Sequence, residues 1–373
     1  MQLSDHPKLA GPDHLRALAI TLVLLYHYRL FSHPEWINQA GSFGWTGVDL
    51  FFVLSGYLIS APLFKQISRQ QPISLKTFFL KRFFRIIPAY LVVVALYFCI
   101  PAFREKEALP PLWKFLTFTQ NFGLDPSHNG TFSHAWSLCV EEQFYLLLPF
   151  LMLCLVALKW GKRTALLIGA LFILGFVLRL YSWNHAILPL IDTDAFGLAW
   201  IKWMYYPTYN RLDGLLVGVS IAGLCQFYPK AKAFIAQYGN VLLLAGLALT
   251  GLAYYICLEP QSFTASIFGF PLVALAYGCI LAAAISPRCF LYRFPLKATS
   301  SIAALSYSIY LTHKGIIHIT QGQLSRWGIE KEGSLMFFLC LLTCLLGAWV
   351  MRHLVEKPFM RIRDRVLKRS NRL

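Results

Sequence analysis

One stretch near the N-terminus reads Arg16-Ala-Leu-Ala-Ile-Thr-Leu-Val-Leu-Leu-Tyr-His27, and its nonpolar character predicts a membrane-spanning helix. The two polar ends are eleven residues apart. They therefore share one helix face and lie roughly 16 Å apart along the axis. An arginine at mid-span costs about 2.5–3.5 kcal/mol, so we expect Arg16 and His27 to face a cavity, a partner or a reactant. In the alternative interpretation, Arg16 extends to the membrane interface and His27 is hydrogen-bonded inside a helix bundle.

The composition extends this prediction to the whole chain. Of 373 residues, 57% are hydrophobic and only 14% are charged, which is typical of a protein that crosses the membrane several times. The formal net charge of +17 comes from basic residues spread through short loops, which argues against nucleic-acid binding. The nine cysteines lie mostly in or near nonpolar runs and form no C-x-x-C pair, so we expect neither disulfides nor a metal site.

The hydropathy pattern predicts an all-α bundle with ten membrane spans. These spans are 15–32, 45–64, 83–101, 137–157, 164–182, 208–227, 240–258, 264–286, 301–320 and 334–354. An even number of spans puts both termini on one side of the membrane. If that side is the cytoplasm, 24 of the 34 lysines and arginines lie in the cytoplasmic segments. By the positive-inside rule, this distribution predicts cytoplasmic termini.

The predicted organisation is one membrane-embedded domain, residues 1–357, and a short basic cytoplasmic tail, residues 358–373. The basic residues of the tail are Arg361, Arg363, Arg365, Lys368, Arg369 and Arg372. We expect them to bind the anionic headgroups of membrane lipids.

A basic pair stands at the predicted cytoplasmic start of the third span. Arg82 and Arg85 are three residues apart, so they share a helix face. Their planar guanidinium groups could clamp phosphates that arrive from the cytosol. In the alternative interpretation, the pair only anchors the span in the membrane.

Two adjacent carboxylates, Glu141 and Glu142, lie inside the fourth span, where a structural role is hard to support. Ser137 precedes Glu141 by four residues, so the two share a helix face. Arg211 in the sixth span is a candidate partner for one carboxylate. The other carboxylate is a candidate partner for a histidine.

Two further spans contribute polar residues. Asp49 lies near the outer end of the second span, and Gly56 allows a close helix approach deeper in the same span. In the ninth span, Tyr307, Tyr310 and Lys314 follow helical spacing and so share one polar face. His313 lies near the outer half of this span. A hydrogen-bonded bundle histidine is the alternative interpretation of His313. The residues that we expect to support the substrate or the site are Asp49, Ser137, Arg211, Tyr307 and His313.

Together these segments resemble acyltransferase family 3 of integral membrane proteins, over roughly residues 10–360. The matching segments are the Arg16–His27 pair, Gly47-Val-Asp49-Leu-Phe-Phe-Val-Leu-Ser55-Gly56, the Arg82–Arg85 pair, Trp136-Ser137-Leu-Cys-Val-Glu141-Glu142-Gln143-Phe-Tyr145, and Ser306-Tyr307-Ser308-Ile-Tyr310-Leu-Thr-His313. Five segments in the family's order make the resemblance specific.

The resemblance implies an enzyme that moves an acyl group, most often acetyl, from cytosolic acyl-CoA to a hydroxyl of a cell-surface or lipid-linked glycan. Acyl-CoA is then a donor substrate, no cofactor is bound permanently, and lipopolysaccharide is among the open acceptors. The implied location is a bacterial inner membrane. By resemblance, His27 is the catalytic histidine and Arg16 lines the donor path. The implied roles of the remaining residues are phosphate binding by Arg82 and Arg85 and support of the reacting centre by Glu141 or Glu142.

Acyl transfer to a hydroxyl needs a base and stabilisation of the developing oxyanion. An uncharged histidine in a nonpolar bundle suits the first task. Direct transfer and a two-step route through an acyl-histidine both remain open. The competing class is a proton-coupled transporter or flippase, in which His27, Glu141 and Glu142 form a proton relay. No inverted repeat appears in the sequence, which argues against that class.

Overall fold

A computed structural model describes residues 10–159 and 161–370. These residues form helices and loops without any strand, which confirms the predicted all-α fold. Residues 1–9 of the predicted membrane domain lie outside the described residues, as do residues 371–373 of the predicted tail, including Arg372.

Eleven long helices make up most of the described part of the chain. They are α1 (Ala10–Tyr28), α2 (Gly47–Ser68), α3 (Leu75–Cys99), α4 (Trp136–Ala157), α5 (Thr164–Ser182), α6 (Asp213–Phe227), α7 (Gly239–Ile256), α8 (Phe270–Ala284), α9 (Lys297–Arg326), α10 (Ser334–Met351) and α11 (Lys357–Ser370). Shorter helices in the connections are Trp36–Ala40, Leu112–Leu116, Phe196–Trp200, Pro229–Gln237 and Phe290–Arg293.

Within the residues that the structure describes, seven helical segments are long and nonpolar enough to cross a membrane. They are Gly44–Ser68, Leu75–Cys99, Ser133–Ala157, Thr164–Leu190, Gly239–Ile256, Ala265–Ala284 and Ser334–Lys368. The other three predicted spans lie in α1, α6 and α9. Helix α6 has only 15 residues, and α1 and α9 carry the charged and hydroxyl side chains that reduce their mean hydropathy. The count of ten spans and the cytoplasmic termini stay predictions.

Helix α3, which carries the predicted arginine pair, has local signals at both ends. The hydroxyl of Ser74 accepts a hydrogen bond of 3.2 Å from the backbone N–H of Thr77 and so caps the first turn. At the other end, the Arg104 guanidinium donates to the carbonyl oxygens of Tyr97 and Phe98, both at 2.7 Å. These bonds satisfy carbonyl groups that have no partner within the helix.

The chain divides into two compact units. Unit 1 consists of Met1–Thr21, Thr46–Phe64 and Asp213–Ala304. Unit 2 consists of Leu22–Trp45, Lys65–Leu212 and Leu305–Leu373.

Within unit 1, glycines let α2 and α6 approach each other closely. A Cβ atom added to Gly56 would lie 2.1 Å from the carbonyl oxygen of Leu215, and one added to Gly218 would lie 2.2 Å from that of Val53. Gly214 and Gly218 have the small-x-x-x-small spacing that allows membrane helices to pack backbone against backbone. The close approach predicted for Gly56 is therefore confirmed.

Within unit 2, an aromatic cluster surrounds Phe132 in the loop before α4. The Phe132 ring stacks on Tyr97 with centroids 4.4 Å apart and on Phe115 with centroids 5.7 Å apart. Its backbone has φ of +55°, a left-handed conformation that a bulky residue seldom adopts. The surrounding rings pack against Phe132 and stabilise this left-handed turn. Helix α4 begins four residues later, at Trp136.

The segment predicted as a basic tail forms α11, which packs against α3 within unit 2. Phe359, Ile362 and Val366 follow helical spacing on one side of it, between basic residues. Binding of α11 to anionic lipids stays a prediction.

Candidate active site

The structure brings His27 and His313 into direct contact within unit 2. Nε2 of His313 lies 2.9 Å from Nδ1 of His27, which is a hydrogen-bonding distance. The two rings are stacked, with centroids 4.9 Å apart. His27 is 8% exposed, whereas His313 is completely buried. Residues 286 positions apart in the sequence therefore form one polar site.

The other contacts of His313 determine which of its nitrogens carries a proton. Nδ1 of His313 lies 3.0 Å from the carbonyl oxygen of Ile309 and 2.8 Å from that of Tyr310. Because a carbonyl oxygen can only accept, Nδ1 of the uncharged ring is the donor and Nε2 is the acceptor. Nδ1 of His27 must then donate to His313, which leaves the lone pair of uncharged His27 on Nε2. This arrangement makes Nε2 the basic and nucleophilic atom of His27.

A third imidazole, His134, lies against this pair, and the three rings form a histidine cluster. The centroid of the His134 ring is 4.8 Å from that of His313 and 5.6 Å from that of His27. His134 is only 2% exposed, and neither ring nitrogen has a hydrogen bond of normal geometry to any described residue. No three histidine, cysteine, aspartate or glutamate side chains in the described part of the chain are placed to hold one metal ion.

Hydroxyl groups hold the backbone of His134 in place. The Tyr310 hydroxyl donates to the carbonyl oxygen of His134 at 2.6 Å, so the Ser137 hydroxyl must donate to the Tyr310 oxygen. The His134 ring also packs edge-on against Phe132, with centroids 5.0 Å apart. The structure thus links Ser137, through the Tyr310 hydroxyl, to the backbone of His134.

A buried ion pair lies next to the histidine cluster. Nζ of Lys314 is 2.8 Å from Oε1 of Glu105, and these side chains are only 3% and 4% exposed. The same carboxylate oxygen accepts a hydrogen bond of 3.1 Å from the backbone N–H of Phe132. Because Lys314 directly follows His313, the ion pair ties the loop after α3 to the part of α9 that bears the cluster.

The predicted arginine pair lies near carboxylates. Arg82 and Glu141 are the charged neighbours that act on Glu142. The Arg82 guanidinium also lies 5.1 Å from the centre of the Tyr145 ring. Arg85 is exposed and is a charged neighbour of Glu356. Arg82 thus has Glu142 close by, and Arg85 has Glu356 close by. We call these four residues the arginine–carboxylate group.

Tyr307 links the arginine–carboxylate group with α9. Its hydroxyl donates to the carbonyl oxygen of Ile86 at 2.9 Å, and the charges of Glu142 and Glu356 act on it. The next residue of α9, Ser308, donates a hydrogen bond to Glu356. Six residues, or about 9 Å along the helix axis, separate Tyr307 from the buried histidine of α9. One helix therefore supports both groups of polar residues.

Arg211 is buried between aromatic rings. Its guanidinium carbon lies 4.7 Å from the centre of the Tyr205 ring and 5.4 Å from that of Trp136. Such cation–π contacts stabilise a buried arginine. The predicted pairing of Arg211 with Glu141 or Glu142 stays a prediction.

Arg16 and Asp49 belong to unit 1. Helix α1 contains both Arg16 and His27, as predicted. The Arg16 guanidinium lies 3.1 Å from Asp13, in a partly exposed ion pair. Asp49 is buried and is a charged neighbour of Tyr277. The donor-path role of Arg16 and the supporting role of Asp49 stay predictions.

No sequence pattern predicted a site role for His134, Glu105 or Glu356. A signal existed for His134, because it stands two residues before the Trp136–Tyr145 motif and three before the predicted span 137–157. Glu105 lies among other charges in a connection between spans, where a solvent-exposed side chain is the usual expectation. Only the folded chain reveals its pairing with Lys314.

Comparison with known proteins gives the family. The model of an acyltransferase domain matches residues 9–353. The chain belongs to acyltransferase family 3, as its five motifs predicted. It is an integral multi-pass membrane protein.

Several bacterial relatives are similar to this chain. Peptidoglycan O-acetyltransferase OatA of Listeria monocytogenes is 32% identical over 334 residues, which cover 83% of this chain and 49% of the relative. O-acetyltransferase OatA of Staphylococcus aureus strain NCTC 8325 is 29% identical over 343 residues, which cover 85% and 52%. The chain spans about half the length of the curated relatives it matches. No solved structure matches the chain significantly.

Proposed function

We propose that the protein is a membrane O-acetyltransferase that moves an acetyl group from acyl-CoA to a hydroxyl of a glycan. The observation that carries this proposal is the hydrogen bond between His27 and His313, which directs the lone pair of His27 to Nε2. A histidine oriented in this way suits acyl transfer, because that reaction needs a base or a nucleophile. The family and the names of the relatives support the same reaction class.

The proposed acceptor is a glycan outside the cytoplasm of a bacterium. One relative is named for peptidoglycan, which supports a polysaccharide of the cell envelope as the acceptor class. Lipopolysaccharide and lipid-linked sugars belong to the same chemical class, since each offers secondary or primary hydroxyl groups on a sugar ring. The proposed location is the bacterial plasma membrane.

The proposed donor site lies at the cytoplasmic side, near Arg82 and Arg85. Two guanidinium groups on one face of α3 suit the phosphates of coenzyme A. This placement assumes ten spans with cytoplasmic termini, so that α1, α6 and α9 also cross the membrane. Arg16, eleven residues before His27 on α1, is the proposed guide for the donor chain.

His313 has a defined task in this proposal. When Nε2 of His27 gains a proton or an acyl group, the ring becomes positively charged, and its Nδ1–H bond to His313 stabilises that charge. Glu141 and Glu142 act at the level of the arginine–carboxylate group, where they support the reacting centre and hold Arg82 in position.

The test is acetyl transfer by the purified protein in proteoliposomes, with radiolabelled acetyl-CoA and a glycan fragment as acceptor. We expect His27→Ala to lower transfer by about 10²–10⁴-fold while the protein remains folded. The matched control is His318→Ala, because His318 is an exposed histidine of α9. Normal transfer by His27→Ala would exclude the proposal, as would glycan movement without release of coenzyme A.

A further inference from the structure

Both nitrogens of His27 have a task if this residue carries the acyl group. Nδ1 donates to His313, and Nε2 forms the bond to the acyl carbon. His27 then has no lone pair with which to take the proton of an incoming hydroxyl. A second base must therefore lie within reach of the acceptor hydroxyl to take its proton when the acyl group is transferred. This inference rests on the proposed function.

We propose that His134 is this second acid–base residue, which takes the proton of the glycan hydroxyl while His27 carries the acyl group. The His134 ring lies 5.6 Å from the His27 ring, measured between centroids. A substrate oxygen that attacks an acyl group on Nε2 of His27 therefore comes near His134. The route through an acyl-histidine is part of the proposal.

The burial of His134 points to a ligand for its ring nitrogens. A buried polar group without a hydrogen bond is costly, and such groups are few in native structures. Neither ring nitrogen of His134 has a hydrogen bond of normal geometry, although the residue is only 2% exposed. The backbone carbonyl of Leu311 interacts with one N–H of the ring, which leaves the other nitrogen without a protein partner. His313, by comparison, has a protein partner on each ring nitrogen. A hydroxyl of the acceptor would supply the bond that His134 lacks.

The surroundings of His134 hold it rigidly, as an acid–base residue requires. Its carbonyl oxygen accepts from Tyr310, and Tyr310 is held in turn by Ser137. Phe132 packs against the ring in a backbone conformation that costs free energy. The Glu105 carboxylate binds the backbone N–H of Phe132 and so stabilises this conformation.

The proposed reaction has two steps. Nε2 of His27 attacks the thioester carbonyl, the C–S bond breaks, and coenzyme A leaves as a thiolate while His27 becomes an acyl-imidazolium. The acceptor oxygen then attacks the acyl carbon, and its proton moves to His134 as the bond between Nε2 and carbon breaks. The products are the ester, uncharged His27 and protonated His134. Protonated His134 finally gives its proton to solvent, and the thiolate takes a proton from the solvent on its own side.

The experiment is rapid-quench acetyl transfer in proteoliposomes with radiolabelled acetyl-CoA, using His134→Gln, His27→Gln and the control His318→Gln. We expect His134→Gln to release one equivalent of coenzyme A in a burst and to keep the label on the protein. Its transfer to glycan should fall by about 100-fold. His27→Gln should give neither burst nor label, and His318→Gln should behave like the unaltered protein.

Two results with the variant would overturn the proposal. One is transfer by His134→Gln at the normal rate. The other is loss of both burst and label in a variant that still binds acetyl-CoA, because His134 would then act before or outside the second step.

The unaltered protein provides a test that does not depend on the variant folding. Incubated with acetyl-CoA and no acceptor, it should carry acetyl on the peptide that contains His27. Normal glycan acetylation without any acetylated protein would overturn the acyl-histidine route and leave the proposed function intact. Absence of coenzyme A release even with acceptor present would overturn the proposed function, and this inference with it.

Discussion

Nε2 of His313 lies 2.9 Å from Nδ1 of His27, and this contact determines which nitrogen of His27 bears the lone pair. His27 donates a hydrogen bond to His313, and His313 in turn donates to the carbonyl oxygens of Ile309 and Tyr310. An acceptor of this kind raises the basicity of the opposite nitrogen and holds the ring in one orientation. The histidine of the family motif therefore has its hydrogen-bond partner near the other end of the sequence.

We predict that His313→Leu slows acetyl transfer by about 10- to 100-fold, because Nδ1 of His27 loses its acceptor and the ring loses its orientation. His313→Gln should retain part of the activity, since its amide oxygen can still accept the proton. Turnover rate and KM for acetyl-CoA, measured in proteoliposomes, separate this effect from donor binding. The control His318→Leu changes an exposed histidine of the same helix. Equal losses in His313→Leu and His313→Gln would contradict the positioning role.

The buried ion pair should respond differently to single and double substitution. Lys314→Met leaves the Glu105 carboxylate buried without its cation, and we expect a loss of about 3–5 kcal/mol in the free energy of unfolding. The double variant Lys314→Met with Glu105→Gln removes both charges and should lose less. Thermal unfolding in detergent gives the comparison. A double variant less stable than Lys314→Met would contradict this account.

Helix packing in unit 1 gives a third prediction. Gly56→Ala places a methyl group 2.1 Å from the carbonyl oxygen of Leu215, so α2 and α6 must separate. We expect a loss of about 1–3 kcal/mol in stability, seen as a lower unfolding temperature in detergent. The matched control is Gly251→Ala, because no atom lies within 4 Å of a Cβ at Gly251. Similar unfolding temperatures for the two variants would show that the α2–α6 contact tolerates a side chain.

The arginine pair can be tested without removing its positive charge. Arg82→Lys with Arg85→Lys keeps the charges that orient the span but loses the planar forks that bind phosphate bidentately. We expect affinity for coenzyme A to fall by about tenfold, with little change in glycan affinity. Equilibrium binding of both ligands to the purified protein provides the measurement, with the exposed Lys81→Ala as control. Unchanged affinity for coenzyme A would favour a role in membrane anchoring alone.

The long helices could be predicted from the sequence because a nonpolar run of sufficient length is a local property. Seven helices in the described part of the chain meet that criterion, and helix α1 contains Arg16 and His27 as the spacing indicated. Helices α1 and α9 fall outside this set, because the polar residues that they carry lower their mean hydropathy. The two helices that bear His27 and His313 are thus less membrane-like by composition than the seven.

The sequence by itself determined the helical class and the family, and it predicted His27 as the reactive residue, because each depends on residues close together in the chain. Only the tertiary structure decided which nitrogen of His27 bears the lone pair. It also revealed His134 as the third ring and Glu105 as the counterion of Lys314. These contacts join residues from separate helices and loops. They depend on how the folded chain excludes water and orients its polar groups. These tertiary contacts cannot be predicted from any single local segment.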